Sequence, residues 1–83
     1  MDGAAGVGRK PIPRPSFLDT CDYLGYIYRE RRWRDPILHR LLTWDGRHGE
    51  IEAFDLRGRH VAVLDSITGE PMKPARKGRR IRV

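Results

Sequence analysis

Within the run Asp45-Gly-Arg-His48-Gly-Glu50-Ile-Glu52 the sequence gathers three carboxylates and one imidazole. Adjacent carboxylates raise each other's pKa, and a carboxylate beside an imidazole raises that of the imidazole. A site built this way holds an acid and a base that both work near neutral pH. Taken singly, each of these residues is better read as a polar group on the solvent face of a strand. Together, on one side of a hairpin in a strongly basic chain, they bring the functional and the bland reading about level. Three chemistries use such a set: proton transfer at a phosphodiester, capture of a divalent cation, and sugar hydrolysis by paired carboxylates. Lys and Arg total 17 against 11 Asp and Glu, a formal charge of +6, which favours a phosphodiester over a neutral sugar. A single His with no second His or Cys makes a transition-metal site weak, so neither a metal nor another cofactor is expected. RNA brings its own nucleophile, the 2′-hydroxyl, so a base, an acid and a cation suffice. That economy suits a domain this small and favours a metal-independent endoribonuclease.

The elements that must position these groups follow from the punctuation of the chain. Residues 1–15 carry Gly and Pro and almost nothing to bury, and are expected to form a flexible arm ahead of one domain over residues 16–83. Ser16 offers an N-cap with Asp19 as its capping-box partner, and Phe17, Cys21, Leu24 and Tyr28 fall at helical spacing. A short N-terminal helix over 17–24 is expected, ended by Gly25. Asp35-Pro36 breaks any helix, and a β-meander follows: strands over 38–45, 50–56 and 60–65, with a short last strand over 80–83. If the second of these strands starts near the turn, His48, Glu50 and Glu52 share one face while Ile51 and Ala53 take the other. The fold class expected is α+β, mainly β: a small antiparallel sheet with a short N-terminal helix.

With 83 residues the chain can build one modest core. Its single cysteine, Cys21, forms no internal disulfide and reads as a small buried hydrophobe. No apolar run approaches a membrane span and no signal-peptide core is visible, so a cytoplasmic protein without a membrane partner is expected. Met1 and the Gly/Pro arm suggest a free-standing gene product. A toxic domain cut from a larger, secreted bacteriocin or contact-dependent toxin is the alternative.

The residues from Arg31-Arg-Trp33 through Trp44-Asp45-Gly-Arg-His48-Gly-Glu50-Ile-Glu52 resemble the cytotoxic domain of the ribosome-inactivating E-type colicins. The likeness continues through Gly58-Arg-His60 and Asp65-Ser-Ile-Thr-Gly69 into Gly78-Arg-Arg-Ile81, covering about residues 29–83. The resemblance implies a highly twisted antiparallel sheet and cleavage of small-subunit ribosomal RNA at the decoding site, which blocks translation. It puts Asp45, His48, Glu50 and Glu52 on the family's active-site positions and the family's catalytic arginine on Arg79, with Arg80 as the other choice of register. Together with the one-face spacing, the resemblance implies Glu52 as base and His48, oriented by Asp45, as acid, or the two roles reversed, with Glu50 supporting its neighbours or substituting as base. Phe54 stands where the family tends to have Tyr, so that hydroxyl is missing.

For substrate contacts, Arg31, Arg32, Arg34, Lys73, Lys77 and Arg80 are expected to meet phosphates of the ribosome. Trp33 either stacks on a base or packs in the core, and His60 reads as structural. The expected partners are the small ribosomal subunit with its RNA, rather than DNA, and an acidic antitoxin or immunity protein that protects the producing cell. A non-catalytic RNA- or ribosome-binding module would explain the charge and fold equally well. It leaves unexplained why carboxylates cluster on a surface that must approach phosphate.

Overall fold

Leu42, Trp44, Ile51, Ala53, Ala62 and Leu64 alternate with Thr43, Asp45, Glu50, Glu52 and Val63 along three consecutive segments, a period of two that only a sheet can satisfy. The computed structural model, which describes residues 9–83, resolves that pattern into an antiparallel meander of six strands in chain order. They are β1 (Asp22–Ile27), β2 (Glu30–Asp35), β3 (Arg40–Asp45), β4 (Glu50–Phe54), β5 (His60–Leu64) and β6 (Pro71–Pro74). Directly paired residues share a face, and the register pairs Trp33 with Leu42, Leu42 with Ala53, and Ala53 with Ala62. That face forms the core, closed by Leu18 and flanked by Ile12, Phe17 and Cys21.

The opposite face follows the same register one residue out of phase. Arg32 pairs with Thr43, Thr43 with Glu52, Glu52 with Val63, and Val63 with Lys73. Next to this row, Asp45 pairs with Glu50 and Phe54 with His60. The sheet therefore separates an apolar side from a charged one, and the charged side carries the acidic run.

The expected α+β class is corrected to a mostly β fold. Ser16 does cap, accepting a hydrogen bond from Leu18 N and donating its own N–H to Asp19 Oδ2, but the helix is a single 3-10 turn, Phe17–Thr20. From Asp22 the chain is already strand. Tyr23, Leu24, Tyr26 and Tyr28 are all exposed, so the helical spacing of Phe17, Cys21, Leu24 and Tyr28 marks no buried stripe. Two further strands escaped the sequence reading. The basic run is β2, and β6 is bounded by two prolines. The strand expected over 80–83 reduces to one bridge between Arg59 and Arg80.

The expected arm, 1–15, falls partly outside the described residues. Its later part lies on the β3–β4 connection: Lys10 N donates to Gly46 O, and Trp44 Nε1 donates to Lys10 O at 2.9 Å. At the other end, the chain beyond β6 returns across the charged face. Ile81 N donates to Gly58 O at 2.8 Å, and Arg32 Nη2 donates to Arg82 O at 2.7 Å. Gly58 has φ +86, and a β-carbon there would meet Ile81 O at 2.3 Å, so glycine is what lets the tail dock.

Candidate active site

Asp45 ends β3 and organises the turn that follows it. Its Oδ1 accepts the backbone N–H groups of Arg47 at 3.0 Å and His48 at 3.3 Å, while Oδ2 lies 2.7 Å from His48 Nδ1. An ionised carboxylate can only accept, so Nδ1 carries the proton and Nε2 is the ring nitrogen left for proton transfer. The imidazole itself is 60% exposed, within reach of a large substrate. Partial burial pushes the Asp45 carboxyl upward, but the hydrogen bonds from the His48 ring and the His48 and Arg47 amides outweigh it. The net effect holds Asp45 below the usual carboxylate range, so it remains ionised at neutral pH.

Glu52, in the middle of β4, is buried, which is unusual for a carboxylate. Its Oε1 lies 2.8 Å from His60 Nε2 and 3.2 Å from Arg79 Nε. His60 is buried as well, and its Nδ1 accepts the backbone N–H of Arg76 at 2.8 Å. With Nδ1 an acceptor, the proton of the neutral ring sits on Nε2 and faces Glu52. This is a close polar contact rather than an aligned hydrogen bond: neither His60 Nε2 nor Glu52 Oε1 reaches hydrogen-bond geometry with any group among the described residues. His60 and Arg79 thus both stand within ion-pair distance of the same carboxylate oxygen. Phe54 lies beneath both, its ring edge-on to His60 and under the Arg79 guanidinium.

The tail sets which arginine arrives. His60 N donates to Arg79 O at 3.0 Å, and Arg80 forms the bridge to Arg59. Arg79 consequently lines the cleft above Glu52, and Arg80 does not. Glu50 is held by Lys73 across the cleft at 3.1 Å. Together these groups line a cleft of about 780 Å³, to which Arg9, Arg47 and Arg76 add positive charge. Its chemical content is one imidazole free at Nε2, one buried carboxylate and one guanidinium aimed at the same space. That set can remove a proton, deliver one and stabilise a developing anion.

Asp45, His48 and Glu50 also offer one ligand atom each, all within 4.8 Å of one another, so this edge of the cleft is where a divalent cation would bind. A cation there would compete with His48 Nδ1 for Asp45 and with Lys73 for Glu50.

The five expected site residues therefore share one cleft. His48, though, is positioned by the turn and not by strand parity. The expected phosphate contacts divide. Arg32 is corrected: it is 3% exposed, spends Nη2 on the Arg82 carbonyl and lies over the Tyr28 ring, which makes it an anchor for the tail. Lys73 is on the cleft wall but paired with Glu50. Arg31 lies over the rings of Tyr23 and Trp33, and Arg34 packs against His39 Nδ1 at 3.0 Å. Lys77 and Arg80 are exposed beyond β6. Trp33 is core. His60, read from the sequence as structural, is a buried neighbour of Glu52; the signal for that place was an imidazole at the start of an apolar strand, His60-Val-Ala-Val-Leu64.

The model of the family described as Cytotoxic matches residues 23–82. No curated protein matches the chain.

Proposed function

The chain belongs to the Cytotoxic family, to which the sequence resemblance pointed, and from that premise we propose that it is a ribonuclease toxin that cleaves small-subunit ribosomal RNA at the decoding site. The observation that carries the reading is the meeting of Arg79 and Glu52 in the cleft that also holds the Asp45–His48 pair. A carboxylate alone would repel a phosphodiester. A carboxylate sharing its place with a guanidinium can accept a proton while the cation holds the phosphate.

In the proposed reaction Glu52 takes the proton of the ribose 2′-hydroxyl, and that oxygen attacks the adjacent phosphorus. Oε1 is buried between His60 and Arg79, 2.8 and 3.2 Å away, so Oε2 is the receiving atom in this reading. The bond from phosphorus to the 5′ oxygen breaks, and His48 Nε2, in the imidazolium form, supplies the proton to that leaving oxygen. Asp45 stabilises the charged ring and fixes its orientation. Arg79 neutralises charge building on the phosphate oxygens, a role in which a fixed donor contributes on the order of 3–4 kcal/mol. The products are a 2′,3′-cyclic phosphate and a 5′-hydroxyl, with no metal required.

Expression of the wild-type chain should introduce a new primer-extension stop in the decoding region of small-subunit ribosomal RNA, and His48→Ala should abolish it. The same stop in both, or in neither, refutes the assignment. The ligand set Asp45, His48 and Glu50 supports a second reading, metal-assisted cleavage. Activity retained in excess EDTA favours the first reading, and loss restored by added divalent metal favours the second. We also propose a tightly bound acidic inhibitor, an antitoxin or immunity protein, to offset a net charge of +6. A cell that tolerates the wild-type gene alone would overturn that partner.

A further inference from the structure

The family match begins at residue 23, yet a segment ahead of it reaches the cleft. Lys10 is clamped by both of its backbone groups, its N–H given to Gly46 O and its carbonyl accepting from Trp44 Nε1 at 2.9 Å. Gly46 lies in the connection that carries His48, so the clamp grips that turn from the outside. The clamp also sets the position of the preceding residue. Arg9 crosses Gly46, its Cδ and Nη1 each about 3.4 Å from where a β-carbon would stand, and its side chain becomes part of the cleft wall beside Asp45 and His48. On the far side of Gly49, a β-carbon would come within 2.9 Å of Lys10 Cδ, so the strap follows the turn closely along its length.

We infer that Arg9 is a substrate-binding residue of the cleft: its guanidinium takes an RNA phosphate next to the scissile one, and the Lys10 clamp holds it there. This rests on the ribonuclease reading above. Among the described residues Arg9 makes no ion pair, and Asp45 and Glu50 of the same cleft are held by His48 and Lys73, so the Arg9 charge faces the cleft where an anion would enter. A cation on the wall, away from the Glu52 and Arg79 pair, contributes to binding in the ground state and the transition state alike. It therefore acts on KM rather than kcat.

The test uses the full chain, purified ribosomes as substrate, and the cleaved ribosomal RNA fragment as readout. Arg9→Ala should raise KM about three- to tenfold with kcat within about twofold, and should reduce the slope of log(kcat/KM) against log[salt] by about one. Arg9→Lys should recover most of the loss, because the charge is retained. Lys10→Pro, which deletes the clamping N–H, should reproduce the Arg9→Ala phenotype with Arg9 still present. An active parent whose KM and salt slope are unchanged by Arg9→Ala overturns this inference and leaves the ribonuclease reading intact. A fall in kcat at constant KM also overturns it. A parent that cleaves no ribosomal RNA overturns both.

Discussion

Replacing His60 with Phe isolates the contact that holds Glu52. The substitution keeps a ring of similar size edge-on to Phe54, whose centroid lies 5.3 Å away, so packing is largely preserved. What disappears is the polar neighbour of a buried carboxylate and the acceptor for the Arg76 amide. A charged group deprived of a buried partner costs about 1.5–3 kcal/mol, and an orphaned amide about 1 kcal/mol more. Arg79, 43% exposed, offsets part of the first cost. The expected loss is thus about 2–4 kcal/mol, or a fall in Tm of roughly 10–25 °C for a domain of this size. Urea unfolding followed by the fluorescence of Trp33 and Trp44 measures it. The decisive variant is the double one. Glu52→Gln removes the charge that needs His60, so His60→Phe should cost about 1–2 kcal/mol less in the Glu52→Gln background than in wild type. Additivity within about 0.5 kcal/mol would refute the pairing. In the cleavage assay His60→Phe should lower kcat more than it changes KM, because it displaces Glu52, the base of the proposed reaction.

Other expectations follow from the same geometry. Arg79→Ala should reduce cleavage at least about a hundredfold, while Arg80→Ala changes it by less than about threefold as a surface charge; equal losses would mean that the tail is placed wrongly. Gly58→Ala should lower activity and cost more than about 1 kcal/mol, since the new methyl meets the Ile81 carbonyl at a backbone φ of +86; unchanged activity and stability would contradict the docked tail. Asp35 is buried, accepts from Ile37 N, Leu38 N and Arg40, and is held below the usual carboxylate range, burial pushing up and the hydrogen bonds down by more. Because its folded pKa lies below its unfolded one, its stabilisation is present above about pH 4 and is lost as pH falls through the folded value. Asp35→Ala should therefore cost about 2–3 kcal/mol at pH 7 by urea midpoint and distinctly less at pH 3; a deficit constant with pH would refute the account.

Strand parity was enough to put Glu50 and Glu52 on one face, because a period of two leaves a carboxylate on β4 nowhere else to point once Ile51 and Ala53 are core. Parity did not place His48, which precedes β4 and depends on the Asp45 cap. It could not place Arg79 either, whose position depends on a tail crossing between Gly58 and Arg32, distant in sequence. The basic run hid β2 for a related reason. A strand rich in Arg reads as solvated surface unless the partners that bury Arg32 and Asp35 are known, and those lie in other elements. The false helix arose because Phe17, Cys21, Leu24 and Tyr28 fit a helical period by coincidence, while three exposed tyrosines and Gly25 at φ +103 fit an edge strand.

The order of the strands bears on how the molecule comes together. Each strand pairs with its neighbour in the chain, so every hairpin closes over a short loop and the sheet can zip progressively. The contacts that finish the cleft are of the opposite kind: Arg32 to Arg82 closes 50 residues, and Trp44 to Lys10 closes 34. Longer closures carry a larger entropic cost and gain little until their docking surface exists. The sheet is therefore expected to form first, with the C-terminal tail that carries Arg79 and the strap at Lys10 docking onto it afterwards. By the same asymmetry the cleft walls are the first part to open under mild stress, leaving a folded but unarmed protein.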